Sequence, residues 1–134
     1  MKDYAFLLYE WKPLSGHWTV LLRYDDKIEL FDACGVGIDK ELKYVPYHMR
    51  KMLGEDEPIL KDLIIKSGFK PVWNKFQFQS ENPAIETCGR WAVWRVLKFI
   101  SENDDIKEFR ADVQQLKNKT GLTYDQLVSK IISN

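Results

Sequence analysis

The stretch His17–Asp32, HWTVLLRYDDKIELFD, decides the fold. It contains two runs rich in apolar, aromatic and β-branched residues, His17–Tyr24 and Lys27–Asp32, parted only by Asp25-Asp26. Two such runs about a two-residue break predict an antiparallel hairpin, although Asp-Asp is a poorer turn than Asn-Gly or Asp-Gly. Antiparallel pairing brings the first residue of the leading run beside the last residue of the returning one. His17 and Asp32 are therefore expected together.

Working outward, Asp3–Glu10 is short, apolar and aromatic and reads as a further strand, with Trp11–Gly16 as a Pro- and Gly-containing loop. Downstream, Ala33–Gly37 reads as a loop, and Pro46–Leu53 and Glu57–Lys66 read as helices. In the second helix Ile59, Leu60, Leu63 and Ile64 recur at helical spacing, and Ser67-Gly68 stops it. Lys70–Gln79 alternates like a strand, with Phe76 and Phe78 on one side and Gln77 and Gln79 on the other. A turn is expected over Ser80–Pro83. Cys88–Ile100 (CGRWAVWRVLKFI) is a strongly apolar helix, with Trp91 and Trp94 in its core face. Thr87 is its expected N-cap, which puts Cys88 in the first turn. Asp104–Lys119, ended by Gly121, and Thr123–Ser133 are expected as two more helices. Mixed elements of this kind predict a single α+β domain over residues 1–134, an antiparallel or mixed sheet packed on a central helix.

The 134 residues include five Trp, six Tyr and seven Phe, too aromatic and apolar for a disordered chain. There is no apolar run long enough to span a membrane, and Met1–Tyr9 does not resemble a signal peptide, so neither a membrane partner nor secretion is expected. Twenty basic residues balance twenty acidic ones, so charge gives no indication of a nucleic-acid cofactor. The two cysteines, Cys34 and Cys88, read as free thiols. With two histidines at scattered spacing they form no metal-ligand pattern, and no metal or other cofactor is expected. A monomer is the expected state.

Three residues carry chemistry if the elements assemble as predicted. Asp32 can fix the tautomer of His17 and stabilise its charged form. Cys88, at a helix N-terminus and beside an imidazolium, gains two influences that lower a thiol pKa. That is the environment of an activated cysteine nucleophile. The side-chain amide of Gln77 or Gln79 and the backbone N–H of Cys88 would supply oxyanion donors. Trp18 adjoins the imidazole, either covering it or packing in the core, and Gly89 adjoins the thiol, so both are expected to line the cleft. Other features have plainer readings. Cys34 reads as a small loop residue, His48 as solvated, Arg90 as pairing with a surface carboxylate, Trp91 and Trp94 as core, and the charges of Lys107–Lys119 as a wet helix face. Asp25 and Asp26 rival Asp32 only if the register is shifted.

The order His17-Trp18, Leu30-Phe31-Asp32, Gln79-Ser80-Glu81-Asn82 and Thr87-Cys88-Gly89 resembles that of the adenovirus-type (adenain-like) cysteine proteinases and the related proteases of ubiquitin-like modifiers. Cys88-Gly89-Arg90-Trp91, with Asn74 and the glutamines upstream, is similar to the maturation proteases of virophages and large DNA viruses. The resemblance spans roughly Gly16 to Ile100. It implies a papain-like fold in the permuted order His-Asp-Cys, with His17 as general base and acid, Asp32 as its orienting acid, Cys88 as nucleophile and Gln79 as oxyanion donor. Gln79 lies nine residues before Cys88, slightly farther than is usual in that family, which keeps Gln77 in competition. The implied activity is a thiol endopeptidase cutting viral capsid or structural precursors, located in the virion or the host cytoplasm. The neighbouring readings are a protease of ubiquitin-like conjugates, acyl transfer on the same triad, and a catalytically silent protein-binding module.

Overall fold

The computed structural model describes residues 3–12, 15–52, 54, 58–80 and 86–133. Four strands, β1 (Asp3–Lys12), β2 (Ser15–Tyr24), β3 (Lys27–Phe31) and β4 (Lys70–Trp73), form one mixed sheet in the order β1-β2-β3-β4. The first two pairings are antiparallel and the third is parallel. A 3-10 helix (Lys40–Tyr44) and two short helices, α1 (Tyr47–Met52) and α2 (Leu60–Lys66), lie between β3 and β4. Three helices follow: α3 (Cys88–Glu102), α4 (Ile106–Thr120) and α5 (Tyr124–Ile131). The architecture is α+β.

The hairpin forms because its alternation satisfies two cores at once. Val20, Leu22 and Phe31 point to one face, where Phe78, Trp91, Phe99, Phe109 and Val128 complete the larger cluster under α3, α4 and α5. Leu21 and Leu30 point to the other, against Ile38 and Ile64. Asp25 takes the left-handed conformation at the turn (φ 52°), which Asp tolerates better than most residues. The helix ends follow from local chemistry. Asp105 with Glu108, and Thr123 with Gln126, form capping boxes at the starts of α4 and α5. Gly121 closes α4 in the left-handed conformation (φ 71°).

Several boundaries differ from the sequence expectation. β1 runs on to Lys12 and β2 starts at Ser15, so the expected Trp11–Gly16 loop is mostly strand, with an irregular register between Glu10 and Lys12. Residues 13 and 14 lie outside the described residues, as do Leu53, Glu57 and the Glu81–Pro83 part of the expected turn. The strand expected over Lys70–Gln79 stops at Trp73. There the Asn74 side chain replaces strand pairing. Its Oδ1 accepts from Asp32 N–H at 3.0 Å, and its Nδ2 donates to the Asp32 and Phe76 carbonyls at 2.6 and 3.1 Å. Asp104 precedes α4 rather than opening it. α3 continues to Glu102, and its apolar face is narrower than the sequence suggests: Leu97 and Ile100 are exposed.

Arg95, by contrast, is fully buried in that helix. Its Nε and Nη2 donate to the two carboxylate oxygens of Glu29 on β3 at 3.0 and 2.9 Å. Tyr24 adds a third hydrogen bond to Glu29 at 2.8 Å. Removing one partner of such a pair strands a buried charge, typically at a cost of about 3–5 kcal/mol. Arg95→Met is accordingly expected to lower unfolding stability by that amount. The double variant Glu29→Leu/Arg95→Met should recover most of the loss. Urea midpoints at constant m-value measure both, and a single variant losing under about 1 kcal/mol would contradict the assignment.

Candidate functional site

The hairpin delivers His17 to the same end of the sheet as Asp32. Nothing larger than glycine fits just before it: a Cβ on Gly16 would clash with the Tyr9 carbonyl oxygen. His17 Nε2 is 2.8 Å from Asp32 Oδ1, and both side chains are buried. An ionised carboxylate only accepts, so Nε2 carries the proton and Nδ1 is left for a second partner. A hydrogen bond between the imidazole and the Cys88 thiol acts on the pKa of both groups.

Asp32 is held on every side. Oδ1 also accepts from Cys34 N–H at 2.9 Å, and Oδ2 accepts from the Tyr44 hydroxyl at 2.9 Å. Tyr44 does more than donate. Its ring stacks on His17 with centroids 3.8 Å apart and planes 19° apart. The imidazole is thus fixed in its plane by Asp32 and against its face by Tyr44. The sequence reading missed Tyr44. Its signal was only an aromatic residue in the connection after Asp32, twelve residues on.

Cys88 opens α3 and is buried. Trp18 N–H points at its sulfur at 3.4 Å. Burial pushes the thiol pKa up, but the His17 hydrogen bond and charge, with the backbone N–H groups of Trp18 and Gly89, outweigh it and hold the pKa below the usual thiol value. For His17 the balance is similar. Burial disfavours the imidazolium, yet the hydrogen bonds to Asp32 and Cys88 and their charges raise its pKa to about 9. Cys34 goes the other way: burial, then the Asp32 charge, push its thiol up to about 11.

Thr87 stands at the expected cap position of α3 but does not cap it with its side chain. Its hydroxyl donates instead to Asp125 Oδ1 at 2.6 Å, while Asp125 Oδ2 accepts from Ser80 N–H at 3.0 Å. One carboxylate at the start of α5 therefore ties the residue before Cys88 to the residue after Gln79. Asp125 was not singled out from the sequence, where it is simply an acid in a helix's first turn. The two glutamines are not equivalent, because the strand that would have aligned them ends earlier. Gln77 is exposed and its amide donates to the Gln79 carbonyl at 2.8 Å, whereas Gln79 is buried.

Trp18 is 40% exposed, so it is a wall of the cleft rather than a core residue. With Gly89, the residue after Cys88, and with Phe6, Arg90, Val93 and Ile132, it lines an open, mainly apolar groove of about 460 Å³. Among the described residues Arg90 does not pair with a carboxylate, which was the expectation. It donates to the Ile132 carbonyl at 2.7 Å, at the end of α5. His48 is exposed, as expected. Among the described residues two groups bring metal-ligating atoms together. His17, Asp32 and Cys34 are one, with the hydrogen bonds just described already joining them. Glu102, Asp104 and Asp112 are the other, gathered around the Lys98 ammonium. No helix among the described residues is long and apolar enough to cross a membrane.

No family model and no solved structure matches the chain. A protein of the Sputnik virophage, named uncharacterized protein V9, is 39% identical to it over 126 residues, covering 93% of this chain and 70% of that protein.

Two expectations follow from the electrostatics. At pH 7 iodoacetamide should label Cys88 at least about tenfold faster than Cys34, since the thiolate is the reacting form. His17→Ala should abolish that preference, and mass-spectrometric peptide mapping reads both. The His17 imidazole should titrate near pH 9 by NMR. Because its folded pKa is raised, the stability it contributes is complete below about pH 6.5 and is lost as pH rises through about 9. In Asp32→Asn burial is opposed by Cys88 alone, and the His17 pKa should fall.

Proposed function

The chain belongs to the family of the Sputnik virophage protein V9, and from that footing we propose that it is a cysteine endopeptidase with a His17-Asp32-Cys88 triad. The observation that supports this most is the 2.8 Å His17–Asp32 contact, with Cys88, whose pKa the same imidazole lowers, at the head of α3. A buried thiol of ordinary packing role needs neither a raised imidazole pKa nor a backbone N–H aimed at it. On this reading the arrangement is papain-like, in the permuted chain order of the adenain-like proteinases.

In the reaction, the Cys88 thiolate attacks a peptide carbonyl carbon, forming a C–S bond and an oxyanion. The Gln79 amide and the Cys88 backbone N–H bind that oxygen. The His17 imidazolium gives its proton to the departing amine as the C–N bond breaks, leaving a thioester. Water then attacks with His17 taking its proton, and the second oxyanion collapses to release the acid and the thiolate. Asp32 keeps the imidazole oriented and charged; Tyr44 holds both partners in place. Gln77 is not assigned the oxyanion role, because its amide is already engaged with backbone. The substrate is a polypeptide lying past Trp18 and Gly89 in the apolar groove. Viral structural precursors, cut as the particle matures, are the substrate class that the virophage relationship favours over ubiquitin-like conjugates.

The test is incubation with capsid precursors encoded alongside this chain. Wild type should yield discrete shorter bands that Cys88→Ala does not; identical gels from the two would overturn the proposal. On a quenched peptide spanning a mapped cut, Gln79→Ala should lower kcat by about 100-fold, the usual loss for one oxyanion donor. Gln77→Ala should change it less than threefold. The basic limb of kcat/KM should fall near pH 9, where His17 loses the proton it must donate.

A further inference from the structure

The charges of α4 are not spread evenly around it. At about 100° per residue, Lys107, Arg110 and Lys117 fall within about 80° of one another, whereas Glu108 and Asp112 lie on the far side. Those two acids are also engaged. Glu108 completes the capping box with Asp105, and Asp112 lies 3.2 Å from the Lys98 ammonium of α3. Among the described residues no ion pair includes Lys107, Arg110, Lys117 or the exposed Lys75. One side of the wet helix face expected from the sequence therefore carries positive charge only.

These cations rest on aromatic rings. The Arg110 guanidinium carbon lies 4.1 Å from the centre of the Phe76 ring, and the Lys117 ammonium 5.1 Å from that of Tyr124. The two rings are 5.4 Å apart. Lys75, Lys107 and Arg110 surround a cavity of about 210 Å³ whose apolar walls are Trp73, Phe76 and Ile106. The platform is held although β4 has ended. The Phe78 and Gln79 N–H groups both donate to the Ala33 carbonyl, at 2.7 and 3.0 Å, and the Asn74 amide donates to the Phe76 carbonyl. A guanidinium stacked on a fixed ring has its plane set in advance, and the N–H groups at its rim can meet two oxygens side by side.

We propose that this face docks an acidic segment of a partner polypeptide, with one carboxylate on the Arg110 fork and its neighbours on Lys75, Lys107 and Lys117. The cavity is smaller than a usual small-molecule pocket and suits one Glu or Asp side chain, its stem against Phe76 and Ile106. A nucleic-acid strand would call on the same cations, but two observations favour the peptide. The rings are not open to bases. Arg110 covers Phe76, which also packs edge-to-face with Phe78 and Tyr124, and Trp73 packs against the smaller core. Twenty basic residues against twenty acidic ones also lack the broad positive field that draws a phosphate backbone. The docking face shares no residue with the groove walled by Phe6 and Trp18, so it stands whether or not the chain is a peptidase.

The test uses the full chain, labelled with nitrogen-15, and three fluorescent probes. They are a short peptide alternating Glu with Ser, the same peptide with Gln for Glu, and an oligothymidylate of equal length. At low salt, where exposed charges are least screened, the Glu peptide should bind at least about tenfold more tightly than the Gln peptide by anisotropy. It should also shift the Lys75, Phe76 and Arg110 amides. Arg110→Gln should lower its affinity by about tenfold, the equivalent of one charge-assisted hydrogen bond. Arg110→Lys, which keeps the charge and loses the fork, should restore only part of that. Arg110 is exposed, so both variants should melt with the wild type. Equal affinity for the Glu and Gln peptides, shifts confined to other surfaces, or unchanged binding by Arg110→Gln overturns the docking face. Full recovery in Arg110→Lys overturns the forked contact. An oligothymidylate that binds the same residues more tightly than the Glu peptide makes this a nucleic-acid surface and overturns the assignment to a polypeptide.

Discussion

The buried pair of Arg95 and Glu29 sets the geometry on which everything else in this molecule depends. It joins the middle of α3 to the middle of β3, and it does so with two parallel hydrogen bonds whose direction is fixed by the planar guanidinium. A purely apolar contact between helix and sheet can slide or rotate by a fraction of a turn with little penalty. A forked ion pair in a dry interior cannot. Arg95 also lies against Phe99 and Phe109, so the charge is clasped between the carboxylate and two aromatic rings. Two turns back along the same helix sits Cys88; three residues on along the same strand direction sits Asp32. The register that this pair imposes is the register that brings thiol, imidazole and carboxylate to one place.

At that place two opposing effects of burial are put to use. Removing His17 from water should make it neutral, and removing Cys88 from water should keep it a thiol. Each is reversed by the other and by fixed donors and acceptors: Asp32 for the ring, the Trp18 and Gly89 N–H groups for the sulfur. Cys34 shows what happens to a thiol close by that lacks this support. It faces the same carboxylate without an imidazole in between, and its proton is held more tightly. The contrast between two cysteines in one small region comes from their neighbours, not from exposure alone.

The parts of this arrangement visible in the sequence were those written locally. Alternation about Asp25-Asp26 announced the hairpin and with it the meeting of His17 and Asp32. The apolar run after Cys88 announced α3. What was hidden depended on side chains reaching across the chain. Asn74 ends β4 early by pairing with the backbone of Asp32, and no periodicity encodes that. Thr87 has the composition of a cap, but Asp125 claims its hydroxyl. Arg95 looks like a polar interruption in an apolar helix until Glu29 is seen opposite. Tyr44 lies in an irregular connection where an aromatic residue carries no positional message. Each of these is a long-range hydrogen bond or stack, and a single sequence states only the residue types, not the encounters.

The Asp125 clamp has a temporal side. The ends of the segment between Gln79 and Cys88 are tied together by a carboxylate that lies 38 residues after Thr87. During synthesis, the sheet and the sulfur-bearing helix emerge well before that latch exists. A newborn chain therefore lacks this tie between Ser80 and Thr87 until translation has passed α5, so the setting of Cys88 is completed late in the life of the nascent polypeptide.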